Sequence, residues 1–201
     1  MPATLFRYEA KPFQLRGLNG LSDEQMAQHL KLYEGYVTNT NLLNEQLAEW
    51  RTRLTPTKPS PEFAEIKRRL GFEYNGMVLH EQFFGNIRPD GGPFPIRSRL
   101  ADAVSQSFGS VDAWDKDFRA VCHMRGVGWA VLYQDPQTGR LNNHWITLHE
   151  EGHIAGYKPI LVVDLWEHAF TVDYKPTERP QYVEAILRNI DWTVVETRLK
   201  A

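Results

Sequence analysis

Cysteine is almost missing from this chain, with Cys122 the only one among 201 residues. A single thiol excludes an internal disulfide framework and any zinc site built from several cysteines, and it fits a reducing compartment. Long apolar runs are missing as well, so no membrane span is expected. The opening residues Met1 to Arg7 lack the basic and apolar stretches of a secretion signal, and a cytoplasmic protein is expected. Excess charge of either sign is also lacking. Lys and Arg total 23 against 25 Asp and Glu, and no basic run disturbs the balance. A nucleic-acid partner therefore has no electrostatic support, whereas a small anionic substrate needs only a local field.

What is present reads as helices first and strands later. Ser22 with Gln25 has the form of a capping box, and Asp23 to about Arg53 carries no breaker except Gly35. Leu32, Tyr36, Leu43 and Leu47 fit one helical face. The proline-rich stretch Thr55 to Pro61 ends that helix, and a second is expected from about Pro61 to Phe84, with Gly71 and Gly76 as points of interruption. The loop Arg88 to Pro93 divides the chain into a helical hairpin, 1–90, and a second part, 91–201. Two short helices follow, Pro95 to Phe108 and Ser110 to His123. Three β-prone runs come next: Trp129 to Tyr133, Asn143 to Leu148 and Ile160 to Val163. A terminal helix should run from Gln181 to Ile190 and on to Leu199. The expected class is α+β, an N-terminal α-helical hairpin followed by a C-terminal α/β part with a small, mostly antiparallel three-stranded sheet.

Seven histidines are spread along the chain. A lone histidine is commonly a surface or satisfied core residue, and Asp164 alone would read as a helix cap. Yet Asp164 ends an apolar strand and His168 follows four residues later, so a carboxylate and an imidazole can converge on one point. One anionic oxygen with neutral nitrogens suits a borderline redox metal such as iron or manganese.

The run Asp164-Leu165-Trp166-Glu167-His168-Ala169-Phe170, continued by Asp173-Tyr174 and Arg179-Pro180, resembles the signature of iron/manganese superoxide dismutases. Gly126-Val127-Gly128-Trp129, Ser107 to Ser110 and Asn189 to Trp192 are similar to further words of that family, in the same order, and the likeness spans about Leu18 to Leu199. The resemblance implies one Fe or Mn ion per subunit, iron slightly favoured, located between the two parts of the chain. It implies superoxide as substrate and a homodimer, with Asp164, His168 and His80 as ligands. For the first helix two readings stay open. The family's ligand histidine stands eight residues before a Tyr-Val pair, here Tyr36-Val37, but His29 stands seven before it and Gln28 eight. Either Gln28 has replaced the ligand, or the helix lacks the extra residue of a π-bulge and His29 still faces the metal. His29 is favoured, because glutamine is a poor ligand beside imidazoles.

The same resemblance gives Tyr36 a place in the substrate funnel and makes Trp129, Trp166, Phe83 and Phe84 walls of the cavity. One branch of the family donates to bound solvent from a glutamine on the second helix, where this chain has Gly76. Another donates from the sheet hairpin, and His149, fifteen residues before Asp164, matches that variant. His144 and His153 are less well placed for it, and His123 has no assigned role. Glu167 is expected to reach the partner subunit's copy of His168. The family's interface histidine near Leu32 or Tyr33 and the tyrosine at Thr171 are both missing here. The alternatives are a metal-binding or scaffolding relative without fast dismutation, and a non-haem iron oxygenase, which would use only two histidines and one carboxylate.

Overall fold

The Ser22 cap starts a helix at Asp23 that runs unbroken to Arg51 (α1). This is a computed structural model, and it describes residues 5–53 and 57–200; Met1 to Thr4 and the Leu54 to Pro56 part of the expected break lie outside them. Only half of the capping box forms. Ser22 Oγ accepts from Gln25 N at 3.0 Å, but the Gln25 side chain is buried and bonded elsewhere. The second helix, Pro61–Gly85 (α2), begins behind Ser60 with proline in its first turn and continues straight through Gly71 and Gly76. Neither glycine interrupts it, because one glycine weakens a helix by only about 1 kcal/mol. Tyr33 bonds Glu81 and Asn39 bonds Glu73, so α1 and α2 lie antiparallel as the expected hairpin.

The third helix, Arg99–Phe108 (α3), starts four residues later than Pro95, since the Ser98 hydroxyl claims the N–H of Ala101 and fixes the cap there. Val111–Cys122 (α4) is capped by Ser110 in the same way. Three strands follow: Gly128–Gln134 (β1), Leu141–Thr147 (β2) and Lys158–Asp164 (β3), in the order β2-β1-β3. Both pairings are antiparallel, and every residue of the central strand is buried. The β1–β3 register sets Trp129 beside Asp164 and slips between Leu132 and Tyr133.

The single terminal helix expected to reach Leu199 is instead two, Arg179–Arg188 (α5) and Trp192–Thr197 (α6). The break has a cause in pairing. Arg88 N donates to Asn189 O and Asp191 N to Asn86 O, so residues 189–191 are drawn into a short bridge with residues 86–88. Asp191 then caps α6. No helix among the described residues is long and apolar enough to cross a membrane.

Candidate metal centre

Four side chains from separate elements meet in the interior. His29 comes from α1, His80 from α2, Asp164 from the end of β3, and His168 from a 3-10 helix, Glu167–Ala169, that follows it. One potential ligand atom from each lies within 4.8 Å of all the others. Around Asp164 Oδ2 stand His29 Nε2 at 3.0 Å, His168 Nε2 at 3.1 Å and His80 Nε2 at 3.6 Å. Two atoms that each bind one ion at about 2.1 Å stand roughly 3.0–3.6 Å apart across angles of about 90–120°. These spacings fit a shared ion.

The protonation pattern argues the same way. His80 Nδ1 lies 2.6 Å from the Gly76 carbonyl, which can only accept, so Nδ1 carries the hydrogen. Burial pushes the pKa of His80 well below the ordinary histidine value, with His29 adding to the effect, so the ring stays neutral. Its Nε2 is then a bare lone pair, buried without a hydrogen-bond partner, and it faces a carboxylate oxygen. Burial alone would raise the Asp164 carboxyl, but the charge and hydrogen bond of His168, with those of His29, hold it below the carboxylate range. A desolvated lone pair facing a desolvated anion is costly unless a cation lies between them. His29 is likewise lowered by burial, and its Nδ1 is buried without a hydrogen-bond partner against Phe83 and Phe84.

Gln28 is not brought to this point. It is exposed and donates to Glu24 on the outer face of α1. With no bulge in α1, the seven-residue step from His29 to Tyr36 is nearly two whole turns, so both lie on the inner face.

A second layer surrounds the four. Trp129 Nε1–H donates to His149 Nδ1 at 3.0 Å, which leaves the His149 hydrogen on Nε2, and that nitrogen stands 2.8 Å from the Tyr36 hydroxyl. Burial lowers His149 to about 4, so the neutral donor form persists through neutral pH. Burial, with Asp164 and Glu73 nearby, raises the Tyr36 phenol above its ordinary value. Trp166 stacks on His149 at 4.6 Å and on His168 at 5.3 Å between ring centres. Trp129 meets the His80 ring edge-on at 5.0 Å, and Phe84 meets His29 at 4.8 Å. Gly76 has a visible use here. A Cβ at that position would lie 2.6 Å from the Tyr36 ring, so no side chain fits on α2 while Tyr36 holds its place.

Three supports escaped the sequence reading. Gln25, fully buried one turn before His29, donates to His168 O at 2.8 Å and accepts from Val172 N at 2.9 Å, strapping the segment that carries His168 onto α1. Tyr182 donates from its hydroxyl to Asp164 O at 2.8 Å. Tyr33, where an interface histidine was sought, is buried and donates to Glu81 at 3.0 Å within the chain. Glu167 is exposed beside His168, whose side chain alone of the four reaches the surface, at 19% exposure.

Known proteins are similar to this chain over most of its length. The family description "Iron/manganese superoxide dismutases, C-terminal domain" matches residues 96–198. An iron superoxide dismutase of Aquifex pyrophilus is 35% identical over 188 residues, 92% of this chain and 87% of the relative. An iron superoxide dismutase of Cupriavidus metallidurans is 34% identical, covering 96% and 97% of the two chains. A manganese superoxide dismutase of Haloferax volcanii is 32% identical, covering 93% and 92%. With that extent of likeness, this chain belongs to the iron/manganese superoxide dismutase family.

Proposed function

We propose that this protein disproportionates superoxide to dioxygen and hydrogen peroxide with one Fe or Mn ion held by His29, His80, Asp164 and His168. The observation that carries the reading is the bare, buried His80 Nε2 facing Asp164 Oδ2, an arrangement that calls for a cation. When bound, such an ion supplies one-electron exchange, taking an electron from one superoxide and giving it to the next. The chain supplies the rest. Asp164 contributes the single negative charge of the ligand set, so a bound di- or trivalent ion would keep net positive charge at the centre to draw an anion. Tyr36, kept protonated, holds a proton at the mouth of the site, and His149 Nε2–H orients its oxygen. Peroxide needs two protons, and a positioned phenol shortens their path. Trp129, Trp166, Phe83 and Phe84 exclude water and bulky reductants.

Iron is the favoured ion, and relatives named as iron and as manganese superoxide dismutases both match this chain. A homodimer accords with the exposed Glu167 and the open edge of His168, with Glu167 reaching the partner subunit's imidazole. The lone, buried Cys122 suits a cytoplasmic setting.

One experiment tests both the activity and the open ligand position. Purified protein should contain near-stoichiometric Fe or Mn and accelerate superoxide decay. His29→Ala should lose most of its metal, while Gln28→Ala should keep metal and rate, since an exposed substitution shifts stability by no more than about 0.5 kcal/mol. Metal without dismutation would favour the scaffolding relative. Metal lost from Gln28→Ala alone would overturn the place given to His29.

Acid should weaken the fold in a defined window. The His149 pKa is about 4 in the folded chain, below the roughly 6.5 of an unfolded histidine. Between those values the unfolded chain binds more protons, so the His149 contribution is complete above pH 6.5 and declines as pH falls toward 4. At pH 5 the loss amounts to at most about 2 kcal/mol. The drop in melting temperature from pH 7.5 to 5 should therefore be smaller in His149→Gln than in the wild type, and an equal drop would remove His149 as its source.

A further inference from the structure

The turn that carries His149 is gripped by β1 at two points. The first is Trp129, whose indole donates to His149 Nδ1. The second acts through another histidine. His153 Nε2 lies 2.9 Å from the main-chain oxygen of His149, and a carbonyl only accepts, so that nitrogen carries the hydrogen. In the neutral ring Nδ1 is left to accept, and the Tyr133 hydroxyl stands 2.9 Å from it. Burial pushes Tyr133 up to about 12, so its proton stays available for donation. Trp129 and Tyr133 are four residues apart on β1 and share one of its faces. The register slip opposite Tyr133 places its extra residue, Ile160, on β3, so the alternation of β1 is kept through Tyr133.

The turn itself needs holding. Leu148 has φ of +53°, a left-handed conformation that a branched side chain keeps only where its surroundings over-determine it. Gly152, at φ +104°, passes so close to the Trp145 carbonyl that a Cβ would meet its oxygen at 2.4 Å. His153 lies just beyond, exposed at one edge, so replacing it opens no hole in the core. Its two hydrogen bonds go to Tyr133 and to the His149 carbonyl, and neither goes to His29, His80, Asp164 or His168.

We infer that His153, steadied by Tyr133, is a positioning residue that anchors the main chain of His149 and thereby sets the contact between His149 Nε2 and Tyr36. Its catalytic consequence rests on the dismutase reading; its geometric consequence does not. Three variants test it: His153→Ala, His153→Gln, whose amide can still donate to the carbonyl, and Tyr133→Phe. The Trp129 indole N–H resonance, read in protein loaded with diamagnetic Zn2+, reports the hold on His149. The midpoint potential and dismutation rate are read with Fe or Mn. In His153→Ala the indole resonance should leave its hydrogen-bonded position and the potential should shift. The rate should fall by up to about tenfold at unchanged metal content, at the mild end of outer-partner effects. His153→Gln should restore all three, and Tyr133→Phe should move them less in the same direction. Wild-type indole resonance and potential in His153→Ala would overturn the inference, as would changes that His153→Gln fails to restore. If the wild type does not dismutate superoxide yet the resonance moves and recovers as stated, the proposed activity falls and the positioning role stands.

Discussion

Asp164→Asn is expected to abolish metal retention and superoxide decay and to lower the stability of the metal-free fold. Asparagine keeps the shape of the side chain and an oxygen to accept from Trp166 N, which Asp164 Oδ1 does at 2.9 Å. It removes the only negative charge among the four ligand residues. The loss of affinity should exceed about 100-fold, the upper end for residues that merely support a ligand. In the metal-free protein the same change also costs stability at neutral pH, because the fold favours the ionised carboxylate, with His29 and His168 against it at 3.0 and 3.1 Å. Metal analysis and calorimetry of metal-free wild type and variant check the two halves. Retained metal in Asp164→Asn would remove the carboxylate from the ligand set.

Gly76→Ala should be the most damaging single methyl group near the site. In an ordinary helix interior, alanine for glycine stabilises by about 1 kcal/mol. Here the added carbon would stand 2.6–2.7 Å from two atoms of the Tyr36 ring, which is walled by Phe72 and His149 and cannot simply swing aside. Overpacking of this kind costs about 1–3 kcal/mol, enough to cancel the helix gain and lower the melting temperature by a few degrees. Displacing Tyr36 breaks its 2.8 Å contact with His149, so the rate should fall by at least about tenfold. Tyr36→Phe measured alone and in the Gly76→Ala background supplies the check. If the glycine acts through Tyr36, the second substitution adds little to the first. Independent, additive losses would mean that Gly76 serves something else.

Where short-range pattern governs, residues and structure agree closely. Ser22 and Ser110 cap helices as read, and the three strands lie within a few residues of the β-prone runs. The family word around Asp164 and His168 pointed to the centre where those residues meet His29 and His80. What local pattern could not reveal is held by distant partners. Gln25 looks like half of a capping box because three-residue spacing is visible, while its bonds to His168 and Val172, more than 140 residues away, leave no periodic trace. The break between α5 and α6 has the same origin, since it depends on Asn86 and Arg88. His153 ranks below His149 in the sequence because its contact is with a main-chain carbonyl, which no side-chain motif marks. The choice between Gln28 and His29 turned on whether α1 carries a bulge, and a single inserted residue changes composition hardly at all.

His29 and His168 stand at opposite ends of most of the chain, so an ion gripping both would close a loop of nearly 140 residues. In the chain-entropy account a tie across such a span restricts the unfolded ensemble by about 5 kcal/mol. The grip cannot form in fragments, because neither the hairpin nor the sheet alone carries the full set. Metal capture would then depend on the hairpin and the sheet having packed against each other first.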